Sequence, residues 1–189
     1  MALSARKRFS TLSESLIRTD SVNSNSSKLA GMPHERIADL VAEIAENNNS
    51  HNTQIDAITL SMIDMDELGF ERIFSAYVWE NGFERTMVEL IYPFLDKLNI
   101  LWLTNSISAA HEKFISNLIR RKLMAAIDKE PIDTLEDAPT FVLYTPEGET
   151  QELTLLFMHY LLRTRGYRVV YLGANTSLND IRDISHTLR

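Results

Sequence analysis

Phe141-Val142-Leu143-Tyr144, then Pro146-Glu147-Gly148, then an apolar run from Leu153 to Leu162 stopped at Gly166, then Arg168-Val169-Val170-Tyr171-Leu172 closed by Gly173: this stretch decides the fold class of the 189-residue chain. Short continuous apolar runs between turn signals read as buried strands of a parallel sheet, not as the alternation of a half-exposed one. The longer apolar segment between them has the length of a helix, so the order is strand, loop, helix, strand. Ser177-Leu178-Asn179-Asp180 fits a capping box that opens another helix, and the pattern carries this helix to the chain end. Such a βαβα run begins a parallel, doubly wound sheet. It is only a beginning, because two strands cannot bury both faces of a sheet of that kind.

Upstream the rhythm is helical. From Pro33, Ile37, Leu40, Val41, Ile44 and Ala45 recur at spacings of three and four, and the segment stops at Asn47-Asn48-Asn49-Ser50. A second helix carries Ile55, Ile58, Met62 and Ile63 on one face. A third starts near Asp66 with Phe70, Ile73, Phe74 and Tyr77 and ends at Asn81-Gly82, where glycine supplies the left-handed cap. The fourth runs from Phe83 through Met87, Leu90, Ile91, Phe94, Leu95 and Leu98, and Pro93 inside it predicts a kink or a loosened turn. After Trp102 and the turn Thr104-Asn105-Ser106, a fifth helix carries Ile107, Ala110, Phe114, Leu118, Leu123 and Ile127. Short connections between amphipathic helices describe an antiparallel helical bundle over residues 33–129. Glu130 to Pro139, with two prolines, acidic residues and no helical period, reads as a linker, and 140–189 is the α/β piece. Residues 1–32, rich in Ser and Asn, read as a disordered leader.

Composition narrows the function classes. With 44% apolar and 24% charged residues the chain has the make-up of a globular protein. Its charge is uneven: five cations against two acids give residues 1–32 a balance of +3, and the remaining 157 residues carry −10. A body that acidic repels a phosphate backbone, so the chain is not expected to read nucleic acid in its own right. The absence of cysteine removes disulfide scaffolds, thiolate zinc sites and thiol nucleophiles. No apolar run has the length of a membrane span and no signal-peptide core is present, which points to the cytoplasm. There is no nucleophile elbow, no Gly-x-Gly-x-x-Gly and no P-loop lysine, so no enzymatic activity is expected.

Two stretches, taken together and in order, say more. One is Trp102-Leu103-Thr104-Asn105-Ser106-Ile107-Ser108-Ala109-Ala110-His111-Glu112-Lys113 and its continuation to Leu123; the other is Pro146-Glu147-Gly148-Glu149-Thr150-Gln151-Glu152-Leu153-Thr154, followed by Tyr171-Leu172-Gly173. They resemble the C-terminal sensory half of the light-sensing, cobalamin-dependent transcriptional regulators of the MerR family, over roughly residues 50–189. The resemblance implies a four-helix cap on a Rossmann- or flavodoxin-like domain of cobalamin-binding type, with adenosylcobalamin between them. In that family a Trp covers the upper corrin face, a Glu-His pair follows on the next helix, and a Glu-x-His-x-x-Gly loop provides the lower axial histidine. Light breaks the cobalt–carbon bond, the cap shifts, the oligomer falls apart, and an N-terminal helix-turn-helix releases DNA.

Carried over residue by residue, Trp102 takes the Trp position and Glu112 that of the Glu, while Lys113 stands where the paired His would be. In the loop Glu149 matches, but Gln151 replaces the axial His and Thr154 the Gly. An amide oxygen is a poor donor for cobalt where imidazole is a good one, and Thr154 places a β-branched side chain where a bulky ligand must approach the backbone. Cobalamin bound here would keep its own base, or water, on the metal. The expected function is an effector-sensing and oligomerisation module of a MerR-like regulator with a degenerate cobalamin site. It would self-associate as a dimer or tetramer and meet DNA only through a helix-turn-helix domain that is missing from this chain. The alternative is a corrinoid carrier of a methyltransferase system, which uses the same cap and sheet; Gln151 weighs more heavily against it, since methyl carriage needs controlled cobalt chemistry. Of the other chemistry-bearing residues, Arg120-Arg121-Lys122 read as solvated or paired with the acidic body, and Glu147, Glu149 and Glu152 as a solvated loop and first helical turn. His111 and Glu112 are adjacent and point about 100° apart on a helix, so they do not share a metal.

Overall fold

Residues 52–103, 106–131, 138–150 and 152–185 are described by the computed structural model. The expected leader, the helix from Pro33 and the centre of the expected linker lie outside these residues. Helix α1 spans 52–63 and α2 Glu67–Asn81. The third helical run, α3, is built of Phe83–Arg85, a π-helical turn Thr86–Ile91, and Tyr92–Leu103. Then come α4, Ala109–Lys129; β1, Thr140–Pro146; α5, Leu153–Thr164; β2, Arg168–Thr176; and α6, Leu178–Ser185. The order is that of a helical region followed by a small α/β piece. Among the described residues no helix is long and apolar enough to cross a membrane.

Local chemistry explains the helix boundaries. Asp66 is the N-cap of α2, its carboxylate accepting from Gly69 N–H at 2.9 Å, and Gly82 ends the helix at φ 81°, a value that glycine adopts without strain. In α3 the proline cannot donate a backbone hydrogen bond, and the loosened turn lies just before it: Tyr92 N–H reaches back five residues to Met87 O. Thr86, fully buried in that turn, donates its hydroxyl to Gly82 O at 2.7 Å. Ser108 and His111 close a capping box at the start of α4, and Ser177 and Asp180 a second one before α6.

The core sits in the helical region and is shared with α5. Ile58, Met62, Phe70, Leu90, Ile91, Phe94, Ile115, Ile119 and Leu123 have no exposed surface, and Leu156, Phe157 and Tyr160 of α5 belong to the same cluster. An aromatic chain joins these elements: Phe70 to Phe74 at 5.6 Å, Phe74 to Phe83 at 6.0 Å, Phe83 to Tyr160 at 4.7 Å, and Phe157 to Tyr92 at 5.5 Å. The described residues accordingly belong to one compact unit.

Several expectations need correction. Ile63 is 44% exposed and Ala110 also faces solvent, so the buried stripes of α1 and α4 are narrower than the spacing suggested. The strands pair in parallel, Thr140 with Arg168 through Leu143 with Tyr171, but they are only partly covered: Leu143 is buried in β1, whereas Phe141 and Tyr144 are exposed. Nor does β2 stop at Gly173. It runs on to Thr176, and two register shifts are taken up beside Gly173 and Asn175, which sit at φ 84° and φ 60°.

Tyr77 gives a pH test of this packing. Burial, then the nearby Glu89 carboxylate to which its hydroxyl donates at 3.3 Å, push its ionisation from 10.0 up to about 12. The folded state thus keeps a proton that the unfolded state loses. This stability is complete below pH 10.0 and is lost as the pH rises towards about 12. Chemical denaturation at stepped pH is expected to show the alkaline decline reduced in Tyr77→Phe; identical declines would refute the assignment.

Candidate functional site

Helix α4 presents three consecutive cations, and each has a carboxylate partner. Arg121 meets Glu67 at 2.5 Å, Lys122 pairs with Glu71 while lying 5.6 Å from the Phe74 ring centre, and Arg120 reaches Glu152 at 2.6 Å. The bond to Lys122 is the main cause holding the Glu71 carboxyl below its ordinary value. The reading of this triplet as paired with the acidic body is therefore the one the structure displays.

The loop after β1 is tied down by β2. Glu149 N–H donates to Pro146 O at 3.0 Å around Gly148, whose φ is 86°. Gly148 N–H donates to the Asn175 side chain at 2.8 Å, Asn175 N–H returns to Glu149 O and to the Thr145 hydroxyl, and that hydroxyl donates to Glu149 O at 2.7 Å. Asn175 can take its left-handed backbone more readily than most residues and offers a carbonyl at the right place. The Pro-x-Gly-Glu motif is thus held by the far end of the sheet.

Just beyond this loop, Glu152 opens α5. The expectation of a solvated first-turn carboxylate is corrected here: its side chain is only 18% exposed, Arg120 holds one oxygen, and the Tyr171 hydroxyl donates to the other at 2.8 Å. Burial, followed by the bond to Glu152, raises the Tyr171 ionisation well above its ordinary range. The His159 ring, one face of α5 further along, stacks on Tyr171 at 5.1 Å, and burial lowers its basicity. Four groups from α4, α5 and β2 thereby meet over the middle of β2, where Tyr171 pairs with Leu143 of β1.

The sequence-derived site residues among the described ones are spread over α3, α4, the loop after β1 and the start of α5. Trp102 is 44% exposed near the end of α3; Glu112 and Lys113 lie in the first turns of α4, the former half-buried and the latter exposed. Glu149 is half-buried in the loop, Thr154 is half-buried on the first turn of α5, and Gln151 lies outside the described residues. Among the described residues, Trp102, Lys113 and Thr154 make no hydrogen bond, ion pair or ring contact with one another. The junction residues Arg120, Tyr171 and His159 were not singled out as a site. Tyr171, in the Tyr171-Leu172-Gly173 stretch of the resemblance, was the one available signal.

A shallow, open depression of about 550 Å³ adjoins Arg120 on α4, lined also by Glu67, Phe114, Leu118, Arg121 and Met124, and none of the sequence-derived site residues lines it. Among the described residues no group of three or more His, Asp or Glu is placed to hold a metal ion. No protein-family model matches the chain, and no curated protein matches it either.

Proposed function

We propose that the chain is an effector-sensing and oligomerisation module of a MerR-like transcriptional regulator with a degenerate cobalamin site. The observation that supports this reading is the junction of Glu152 with Arg120 and Tyr171. A ligand settling beside Tyr171 would press on a carboxylate already bonded to a helix of the bundle, so its arrival has a direct mechanical route into the helical region. That is what a sensor requires, and no covalent bond need be made or broken for it.

The residues do not fit a corrinoid ligated by the protein. Position 151 offers an amide, Thr154 keeps a β-branched side chain half-buried at the helix start, and Glu152 next to them is committed to Arg120 and Tyr171. The effector is then recognised without a cobalt–protein bond.

Titration with hydroxocobalamin followed by corrin absorption, together with light scattering of the eluted protein, tests this reading. The parent is expected to self-associate and to show no nitrogen-ligated corrin spectrum. Gln151→His is expected to gain retention, because it restores a nitrogen donor that Glu149 can orient, and Thr154→Gly to add to it, though not additively. A parent that is monomeric at every concentration defeats the oligomerising module. A parent that ligates cobalt through nitrogen as firmly as the double variant defeats the degenerate site and favours the corrinoid carrier.

A further inference from the structure

Glu152 bonds outward in two directions at once. Its first oxygen takes the Tyr171 hydroxyl of β2 at 2.8 Å and its second the Arg120 guanidinium of α4 at 2.6 Å, while its own backbone carbonyl accepts from Leu156 N–H at 2.9 Å to start α5. The other two cations of the triplet, Arg121 and Lys122, pair with Glu67 and Glu71 of α2 and so stay within the helical region. Arg120 alone of the three crosses to the α/β piece, at the start of α5. The strand backbone also passes close to the pair: a Cβ added to Gly173 would lie 3.6 Å from both Glu152 Oε1 and Tyr171 Cε1, an ordinary contact. His159 covers Tyr171 from α5, which keeps the phenol aimed at Glu152.

We propose that Glu152 is the bolt of an internal lock: while its carboxylate bridges Arg120 and Tyr171, the middle of α4, the start of α5 and the middle of β2 open and close as one unit, and freeing it uncouples the helical face from the sheet. A carboxylate shared by a guanidinium and a phenol, largely shielded from water, is held by charge-assisted bonds that strengthen one another. Loss of either partner leaves a shielded charge with one bond fewer, so the three elements are expected to loosen together. That the lock serves regulation rests on the sensor reading above. Its existence does not, and the experiment below needs no effector, so the two can fail separately.

Hydrogen–deuterium exchange on the full chain is the test. Glu152→Gln and Tyr171→Phe are each expected to speed exchange about tenfold or more, both in the segment from Glu152 through the first turn of α5 and in α4 around Arg120. The double variant is expected to add little to either single one, since both break the same bridge. Arg121→Met, which removes a bond inside the helical region, is expected to leave the start of α5 unchanged. If Glu152→Gln fails to fold, Arg120→Lys reads the same coupling, because it keeps the charge but loses the planar fork. Faster exchange confined to the substituted segment, or the same spread from Arg121→Met, overturns the lock.

Discussion

Phe157→Ala is expected to lower the stability of the whole described unit by about 3–5 kcal/mol, in a single cooperative transition. The side chain is 4% exposed and stands between the Tyr92 ring at 5.5 Å and the Tyr160 ring at 6.3 Å. Truncation removes a large apolar group and leaves a cavity whose walls belong to α3 and α5, neither of which can close it without shifting its own packing. The residue lies in the α/β piece, yet it is part of the same buried cluster as the bundle residues, and Tyr160 carries the contact on to Phe83. Loss of helical and aromatic circular dichroism should therefore coincide along a urea titration. Met158→Ala is the control: this neighbour is 37% exposed, and its truncation is expected to cost less than about 1 kcal/mol. Two separate transitions in the parent, or equal losses for the two variants, would contradict a shared core.

That shared core marks a limit of the sequence reading. Periodicity is a local signal, and it located Asp66, Gly82, Pro93 and the Ser177 box because caps and breakers act within one turn of the residue that causes them. Whether Leu156, Phe157 and Tyr160 turn towards a sheet or towards a bundle is decided by neighbours distant in the chain, such as Phe83 and Tyr92. The strands show the same limit from the other side: an apolar run does not say how much of it another element covers, and Phe141 and Tyr144 remain exposed. At the site, a glutamate before an apolar helix reads as a solvated residue favoured by the helix dipole, and nothing local distinguishes it from one bonded to an arginine 32 positions earlier and a tyrosine 19 positions later. The loop after β1 was legible as a loop; the role of Asn175 in holding it was not, since the partner belongs to the next strand.

Gly69→Ala reverses the usual rule for helices. In an exposed helix interior, alanine is favoured over glycine by about 0.8–1 kcal/mol, because it restricts the unfolded chain and adds no strain. Gly69 lies in the first turn of α2 and is buried; a Cβ there would fall inside contact distance of Asp66 Oδ2 and 2.8 Å from Ser61 Oγ. Neither atom is free to give way. The Asp66 carboxylate is held in place by the cap bond from Gly69 N–H itself, and the Ser61 hydroxyl donates to Ala57 O at 3.0 Å. The methyl group must therefore either break the cap, which is worth about 0.5–2 kcal/mol, or push α1 away from the start of α2. A net loss of about 1–2 kcal/mol is expected in place of a gain. The mechanism also fixes the sign of a coupling. In Asp66→Ala the cap is already gone and one of the two obstructing atoms with it, so adding Gly69→Ala should cost clearly less than it does in the parent. Denaturant midpoints for the four proteins of this cycle decide it: a stabilised Gly69→Ala, or strictly additive losses, would show that the space beside Gly69 is not closed by Asp66.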